Sequence, residues 1–427
     1  MQNTETSCNM KHRTLLEKLF QAAVQAADPL AGIRAHLPPP PVGGRTVVVG
    51  AGKGAAQMAA ALESLWPGPL SGVVVTRYGY ACPTRSIEVI EAAHPVPDEA
   101  GIVASRRLLD LVAGLDPQDL VIALISGGGS ALLPAPPPGL TLDDEIALNQ
   151  VLLSSGAPIS AMNVVRKHVS MIKGGRLAAA TKARVVSLII SDIPGDIPSF
   201  VASGPTVADA STREDALAII ENYKLDLPTG VMAHLRSPAA DAPRTDDPRL
   251  SRNEHHVVAS AGLSLEAAAS VALTAGFTPH ILSDSIEGES RDVALVHAAM
   301  AREIATKGRP LQRPCVLLSG GETTVTLRGD GGRGGRNSEF ALALALAIDG
   351  LSITALAADT DGIDGVGDHA GAVVDGGTVA RLRAAGFEAR KLLAQNDSYS
   401  GFEAIGDLLV TGPTGTNVND FRAIIIE

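Results

Sequence analysis

Short apolar runs that do not alternate with polar residues constrain the fold of this chain most strongly. Examples are TVVVG from Thr46, LVIALIS from Leu120 and RVVSLIISD from Arg184, and stretches with helical character separate such runs along the chain. Parallel strands that are covered by helices on both faces have this continuous apolar character, whereas half-exposed strands alternate. The repetition of strand and helix predicts βαβ units and an α/β fold with a doubly wound, Rossmann or flavodoxin-like parallel sheet.

The length of 427 residues predicts two domains, because a single hydrophobic core stops growing well below that size. Residues 236–256 are rich in Pro, Asp and Arg and are interpreted as a surface segment or a domain hinge. We therefore expect an N-terminal α/β domain over residues 1–240 and a C-terminal α/β domain over residues 257–427. Clearer alternation near the C-terminus, as in FRAIIIE from Phe421, predicts a mixed sheet in the second domain.

Composition and charge exclude several classes of function. The formal net charge of −11 argues against a nucleic-acid partner, which would need a basic face. The three cysteines are scattered and have no CxxC spacing, so neither a disulfide scaffold nor a zinc site is expected. No apolar run reaches the ~18 residues of a membrane span, and the N-terminal segment is an amphipathic helix. A cytoplasmic protein with no membrane partner is the expectation.

The segment VVVGAGKGAAQMA, which starts at Val47, contains the GxGxxA fingerprint of dinucleotide-binding loops between a strand and a helix. The next strand ends in Arg77, which would suit the 2′-phosphate of NADP better than a ribose hydroxyl. Lys53 lies inside the loop, flanked by Gly52 and Gly54, where its ammonium and the helix N–H groups would bind an anion. The alternative is a tight turn with a solvated lysine.

A second glycine-rich segment follows a buried strand at Ser126-Gly127-Gly128-Gly129-Ser130 and recurs in weaker form as Ser319-Gly320-Gly321-Glu322. Glycines let the backbone adopt positive φ and approach a ligand closely, and backbone amides in such a bend form an anion-binding nest. We interpret both segments as anion-binding loops, with a flexible turn as the alternative for the first.

A third glycine-rich segment, GDGGRGGRNSEF from Gly329, carries Arg333, Arg336 and Asn337 to the start of a predicted helix. Mobile glycines that deliver arginine near a helix N-terminus suit closure over a phosphate. The alternative is a disordered basic loop.

Two groups of aspartates follow predicted strands. Asp192 and Asp196 follow the strand from Arg184, at the edge where open α/β sheets bind ligands. A later group contains Asp361 between Asp359 and Asp364, and clustered carboxylates of this kind could hold Mg²⁺. The alternative for the first group is a turn, and the alternative for the later group is an Asp/Gly turn that caps the next helix. Asp361 is the candidate metal ligand.

Together these motifs resemble the glycerate 2-kinase family, whose members end in a MOFRL domain. The segments that carry the resemblance are GAGKGAA, LISGGGSALLPAP, MNVVRKHVSMIKGGRLA, SDIPGDIPSFVASGPTVAD, LSGGETTVTLRGDGGRGGRNSEFALALAL, DTDGIDG and NDSYSGFEAIGDLLVTGPTGTNVND. They cover nearly the whole chain in order. Some members of the family are labelled hydroxypyruvate reductase.

The resemblance implies ATP-dependent phosphorylation of D-glycerate at its 2-hydroxyl, which gives 2-phosphoglycerate and ADP with the help of Mg²⁺. It also implies two α/β domains around a deep cleft, an active-site lysine at Lys53 and an active-site arginine at Arg336. Asp192 is expected near the reacting groups, as a base or through Mg²⁺. The expected partners are small molecules, D-glycerate and ATP; a homodimer is left open.

Two other functions stay open from the residues alone. An NAD(P)H-dependent hydroxypyruvate reductase would use the GxGxxA loop but would leave the later glycine-rich loops without a role. A non-enzymatic sensor of sugar acids would keep the acid pocket and need neither Lys53 nor a metal. Phosphoryl transfer explains more of the motifs, because it needs positioning, charge neutralisation and a metal.

Overall fold

The structure is a computed structural model that describes residues 2–327 and 331–427. Contacts divide the chain into two compact units. The parallel-sheet unit is Pro29–Val258, and the mixed-sheet unit combines the residues up to Asp28 with Ala259–Glu427. The chain therefore passes from one unit to the other twice.

The parallel-sheet unit alternates strands and helices as expected. After helix α1 (Gln2–Ala26), which belongs to the other unit, the elements are α2 (Pro29–Ala35), β1 (Thr46–Ala51), α3 (Ala55–Leu65), β2 (Ser71–Arg77), β3 (Ile87–Ala92), α4 (Glu99–Ala113), β4 (Leu120–Ile125), α5 (Gly129–Leu132), α6 (Leu142–Ser154), α7 (Ile159–His168), α8 (Arg176–Ala179), β5 (Arg184–Ile190), α9 (Arg213–Asn222), α10 (Thr229–Leu235) and β6 (Glu254–Ala259). Short 3₁₀ helices occur at Pro194–Asp196, Val201–Ser203, Pro238–Ala240 and Pro248–Leu250.

The strand order of this sheet is β3-β2-β1-β4-β5-β6. Strand β1 pairs in parallel with β2 and β4, and the pairs β2–β3 and β4–β5 are also parallel. Every residue of β1 and β4 is buried, which is why these strands carry no polar alternation. The doubly wound parallel sheet is therefore confirmed. The order reverses between β1 and β4, and ligands of such sheets bind outside the carboxyl ends at this point.

The mixed-sheet unit continues with α11 (Ala261–Thr274), β7 (Thr278–Glu289), α12 (Ser290–Lys307), β8 (Cys315–Thr324), α13 (Arg336–Ala347), β9 (Ile353–Asp359), β10 (Gly371–Asp375), α14 (Thr378–Ala384), α15 (Ala389–Ala394), α16 (Ser398–Ile405), β11 (Leu408–Leu409) and β12 (Asp420–Ile426). Its sheet has the order β11-β10-β9-β12-β8-β7. Within this sheet, the registered pairs of the described residues are antiparallel except for β7 and β8, which pair in parallel. The expected mixed sheet is confirmed.

The compact units differ from the predicted division at 236–256. Helix α1 belongs to the mixed-sheet unit because its apolar face, with Leu16, Leu19 and Phe20, is buried in one core with Leu265 of α11 and Phe421 of β12. Strand β6 continues the parallel sheet, so the chain leaves that unit only after Val258. Local composition marked a surface segment correctly but could not show which core each flanking element joins.

The segment Ser319-Gly320-Gly321-Glu322 is not the expected loop, because these residues lie within strand β8; its anion-binding role stays a prediction. They pair with β12 on one side and with β7 on the other, where the register shifts opposite Ser319 and Gly321. Gly321 has φ of +123°, and a Cβ there would lie 2.2 Å from the backbone of Ile286. The close approach of the neighbouring strand β7 therefore requires glycine at this irregular point of the sheet.

Among the described residues, no helix combines the length and apolarity that crossing a membrane requires.

Candidate active site

The loop after β1 presents Lys53 at the carboxyl end of the parallel sheet. Its backbone amide donates a 2.8 Å hydrogen bond to the carbonyl oxygen of Gly127, and the amide of Gly54 donates to Oγ of Ser126 at 3.0 Å. Helix α3 begins at the next residue, Ala55. The first two predicted anion loops, from β1 and β4, are thus one joined structure at the reversal of strand order.

The middle glycine of the second loop closes a small cradle around the lysine. Gly128 has φ of +78°, which favours glycine. A Cβ built on it would lie 3.2 Å from Cε of Lys53 and 3.1 Å from Nε2 of His94. Any side chain at this position would therefore crowd both the lysine and the histidine, and glycine keeps their two side chains close to the loop.

Asp192, which follows β5, approaches the same loop from the other side. A Cβ on Gly127 would lie 1.7 Å from Oδ2 of Asp192, so the carboxylate occupies the space beside this glycine. The structure thus brings together the predicted catalytic residues Lys53 and Asp192 at adjacent glycines. Asp196, from the same predicted pair, lies in the 3₁₀ helix Pro194–Asp196 with φ of +51°.

His94 is a component of this site that sequence reasoning missed. It is half-buried and follows β3, so four strands of the sheet, β3, β1, β4 and β5, each supply a loop to the cluster. Burial lowers the pKa of His94 to about 4, and the positive charges of Lys53 and Arg77 act in the same direction. The imidazole is therefore neutral at neutral pH. Its place directly after a parallel strand was the sequence signal that could have found it.

The two serines of the second loop are engaged within the unit. Oγ of Ser126 accepts the bond from Gly54, and this side chain is buried. Oγ of Ser130 lies 2.9 Å from Oγ of Ser203, which in turn donates to Oδ1 of Asn163 at 3.0 Å. Both hydroxyls hold the loop in place, while a Cβ on Gly129 would lie 2.6 Å from Cβ of Ala202.

The GxGxxA loop does not have the geometry of a dinucleotide site. In that fingerprint the second glycine lets the backbone approach the pyrophosphate. Here that glycine is Gly52, and a Cβ on it would lie 2.2 Å from Oγ and 2.4 Å from the carbonyl oxygen of Ser126. The loop after β4 therefore occupies the space beside Gly52 into which a pyrophosphate would have to fit. The glycine at 52 is therefore explained by the packing of two protein loops.

In the mixed-sheet unit, Arg336 is held by three carboxylates. Its Nε donates to Asp420 at 2.6 Å, its Nη2 to Asp359 at 2.7 Å and its Nη1 to Glu322 at 3.0 Å. The side chain of Glu322 is 58% exposed, whereas Asp420 and Asp359 are buried. Sequence reasoning singled out Arg336 and Glu322 but missed Asp420, which lies about 80 residues further along the chain.

This cluster shifts the ionisation of its members strongly. Burial raises the pKa of Asp359 well above its usual range, against the opposing charge of Arg336, and the charges of Asp361 and Asp420 raise it further. Burial lowers the pKa of the Arg336 guanidinium, but the surrounding carboxylates outweigh this effect and raise that pKa above its usual value. Arg422, fully buried, also donates to Asp420. The guanidinium of Arg336 is therefore a fixed cation.

The N-terminus of α13 is capped by the protein itself. The backbone amides of Asn337 and Ser338 donate to the carboxylate of Asp364 at 2.9 and 2.8 Å, and Nδ2 of Asn337 donates to Asp420 at 2.8 Å. The expectation that this helix end would receive a phosphate is thus not met in the described geometry. Asp364 therefore caps a helix that precedes it in the chain, whereas the sequence alternative was the capping of the next helix.

Arg333 does not join the carboxylates of Arg336. Its guanidinium lies over the ring of Tyr399, with Cζ 3.8 Å from the ring centroid, and its backbone amide donates to Asp397 at 3.1 Å. Gly329, named with this loop, lies outside the described residues.

The predicted metal ligand Asp361 follows β9. Its backbone amide donates to Oδ1 of Asp359 at 3.1 Å, and its own Oδ1 accepts the amide of Ile363 at 2.8 Å. Within the part of the chain that the structure describes, no group of three or more His, Cys, Asp or Glu side chains is arranged to hold a metal ion. The residues present do not form a ready Mg²⁺ site, and the role of Asp361 stays a prediction.

Both parts of the chain match known family models. Residues 15–236 match a family described as a domain of unknown function, DUF4147, and residues 315–420 match the MOFRL family. A protein of Agrobacterium vitis called a putative hydroxypyruvate reductase is 54% identical, over 97% of this chain and 94% of its own. The glycerate 2-kinase of Pyrococcus horikoshii is 42% identical, over 90% of this chain and 88% of its own.

The fold also matches a solved structure. The crystal structure of the glycerate kinase of Thermotoga maritima superposes with a TM-score of 0.88 at 39% identity, covering 98% of this chain and 100% of the other. Because 98% of this chain is covered, the similarity includes both compact units. The chain therefore belongs to the glycerate 2-kinase family, with a DUF4147 region followed by a MOFRL region.

Proposed function

We propose that the chain transfers the γ-phosphoryl group of ATP to the 2-hydroxyl of D-glycerate and releases 2-phosphoglycerate and ADP. The observation that carries the proposal is the convergence of Lys53, His94 and Asp192 on adjacent glycines at the strand-order reversal of the parallel sheet. Relatives named glycerate 2-kinase, at 42% and 40% identity, support the same substrate. In the transfer, the hydroxyl oxygen bonds to phosphorus, the bond to the ADP oxygen breaks and the hydroxyl proton leaves.

In the parallel-sheet cluster of Lys53, His94 and Asp192, the two charged residues have roles that their charges suit. Lys53 neutralises an anionic group, either the carboxylate of glycerate or oxygens of the phosphoryl group, since preorganised charge supplies much of phosphoryl-transfer catalysis. Asp192 lies beside Gly127, where its carboxylate can receive the proton of the hydroxyl. The binding role assigned from sequence to Gly128 is supported by its place beside Lys53 and His94, and the roles of Gly127 and Gly129 stay predictions.

Arg336 is proposed to stabilise charge on the transferring phosphoryl group with its fork of donors. Two of its three carboxylate partners are buried, and Glu322 is the exposed one. A phosphoryl oxygen therefore reaches Nη1 by replacing Glu322. Mg²⁺ stays the expected metal, although no protein ligand set is preformed for it among the described residues.

A hydroxypyruvate reductase is the second candidate, because a relative at 54% identity has that name with the qualifier putative. The packing of Gly52 against Ser126 speaks against it, since the glycine that should face a pyrophosphate faces protein. Cytoplasmic location and a homodimer stay predictions.

One pair of assays separates these functions. ADP release is measured with ATP and D-glycerate, and oxidation of NADH and of NADPH is measured with hydroxypyruvate, with the Lys53→Ala variant as the background of each. We expect ADP release well above that background and no nicotinamide oxidation. Phosphorus NMR then separates the products, because phosphate on the secondary carbon couples to one proton and phosphate on the primary carbon to two. Nicotinamide oxidation without ADP release would overturn the proposal, and glycerate binding without either reaction would indicate a sensor.

Asp192 is tested in the same assay. Asp192→Asn keeps the size of the side chain and removes its charge. We expect a fall in turnover or a changed dependence on Mg²⁺. If turnover and Mg²⁺ dependence both stay as in the wild type, Asp192 is not near the reacting groups.

A further inference from the structure

The side chains of His94 and Lys53 make no hydrogen bond with the part of the chain that the structure describes. The described part of the chain gives neither ring nitrogen a hydrogen-bond partner, although the residue is half-buried. Its Nε2 lies 3.1 Å from the point where a Cβ of Gly128 would be, and Cε of Lys53 lies 3.2 Å from the same point. A half-buried polar nitrogen without a partner in the described part of the chain, beside a lysine and a glycine loop, is a group available to a ligand.

The cradle combines a cation with a neutral hydrogen-bonding group. Lys53 carries a positive charge, and burial together with the charges of Lys53 and Arg77 keeps the imidazole of His94 neutral. A neutral imidazole has one N–H donor and one acceptor nitrogen. It carries no net charge, so the lysine is the stronger binder of carboxylates and phosphates, and the histidine, which can both donate and accept, is suited to a hydroxyl.

A 2-hydroxy acid presents the matching pair of groups on adjacent carbon atoms. We propose that His94 binds the 2-hydroxyl of the acid substrate while Lys53 binds an anionic oxygen beside it. This inference rests on the proposed function and deepens it, since it names the residue that recognises the hydroxyl to be phosphorylated.

Hydroxyl recognition by His94 would set both specificity and alignment. A site built to pair with a hydroxyl rejects an analogue that lacks it, because the polar group of the protein is then left without a partner. In a loose phosphoryl-transfer transition state little proton transfer is needed before the bond to the leaving group breaks, so alignment of the hydroxyl is the larger contribution. His94 is thus a substrate-binding residue, and removal of the proton is left to Asp192 or water.

The test measures binding in the absence of nucleotide. Calorimetry compares D-glycerate with 3-hydroxypropionate, which keeps the carboxylate and the 3-hydroxyl but lacks the 2-hydroxyl. We expect the wild type to prefer D-glycerate by about 10-fold or more, the value of one well-made hydrogen bond. His94→Leu should lose most of this preference by weakening D-glycerate alone. His94→Asn, which keeps a donor and an acceptor, should retain part of it.

The control is His255→Leu, an exposed histidine in the same unit, which should keep the full preference. Thermal melts check that each variant is folded. A merely structural role of His94 would weaken both acids equally, and that result would overturn the inference. If wild-type protein phosphorylates D-glycerate and His94→Leu still discriminates fully, the inference fails and the proposed function stands. If the wild type neither binds nor phosphorylates D-glycerate, both fail.

Discussion

The backbone amide of Lys53 donates a 2.8 Å hydrogen bond to the carbonyl oxygen of Gly127. This bond joins the loops that follow β1 and β4, which are neighbours where the strand order of the parallel sheet reverses. The lysine is therefore positioned by its backbone, and its side chain is left to reach the cradle at Gly128. A change to the side chain of Lys53 should therefore alter activity without releasing the loop, since the backbone holds it.

Lys53→Ala should lower kcat/KM with ATP and D-glycerate by about 10²- to 10³-fold, the loss typical of one preorganised charge-stabilising group. The fold should survive, because the loop is held by the backbone of Lys53 and by Ser126. Steady-state kinetics and thermal melts measure both effects. Lys182→Ala, an exposed lysine of the same unit, is the matched control and should behave as the wild type. Near-normal turnover of Lys53→Ala would remove this residue from the mechanism.

Gly128→Ala should lower kcat/KM by about 100-fold, because the new methyl group enters the cradle and displaces the side chains that line it. The positive φ adds strain of about 1–2 kcal/mol. Gly156→Ala separates the two effects, since Gly156 has φ of +70° but nothing within 4 Å of its Cβ position. Both variants should melt at lower temperature, and only Gly128→Ala should lose activity. Equal activity in the two would show that the cradle is not used.

Arg336→Lys should lower kcat more than it raises KM for either substrate, because the charge is kept and the fork of donors is lost. Arg336→Ala should in addition lower stability by about 3 kcal/mol, since buried Asp359 and Asp420 lose a cation. Adding Asp359→Asn to Arg336→Ala should recover part of that stability. Kinetics and urea unfolding test both statements. A rise in KM alone would make Arg336 a simple binding residue.

His297 should make stability depend on pH. Burial lowers the pKa of His297 from 6.5 to about 4. Its Nδ1 lies 2.8 Å from the carbonyl oxygen of Val293, to which it can only donate, and its Nε2 lies 3.0 Å from Oγ of Ser319. Between these two pKa values the unfolded chain binds the extra proton, so the free energy of unfolding falls as the pH drops below 6.5. The loss is complete below pH 4, at about 3 kcal/mol.

The comparison of wild type with His297→Gln isolates this contribution, since other titrating groups are shared. Urea unfolding at about pH 7.5 and about pH 5 should show a loss for the wild type that is larger by about 2 kcal/mol than the loss for the variant. The same pH dependence in both proteins would mean that His297 is not held neutral in the fold.

Several features of this protein were determined by its sequence alone. Continuous apolar runs separated by helical stretches predicted the parallel sheet, because burial on both faces leaves no room for polar alternation. The glycines around Lys53 and at 127–129 marked a loop structure at the ends of two strands. These are local properties of backbone conformation and burial, and a short stretch of residues is enough to express them.

The tertiary structure decided what the local patterns could not. Strand order brought His94, Lys53 and Asp192 together from three separate strands, and sheet pairing turned the expected loop at Ser319-Gly320-Gly321 into part of β8. Asp420 meets Arg336 for the same reason, across 84 positions of sequence. Which strands lie side by side depends on how distant apolar faces are buried together, and that choice sets the neighbours of every charged side chain at the strand ends.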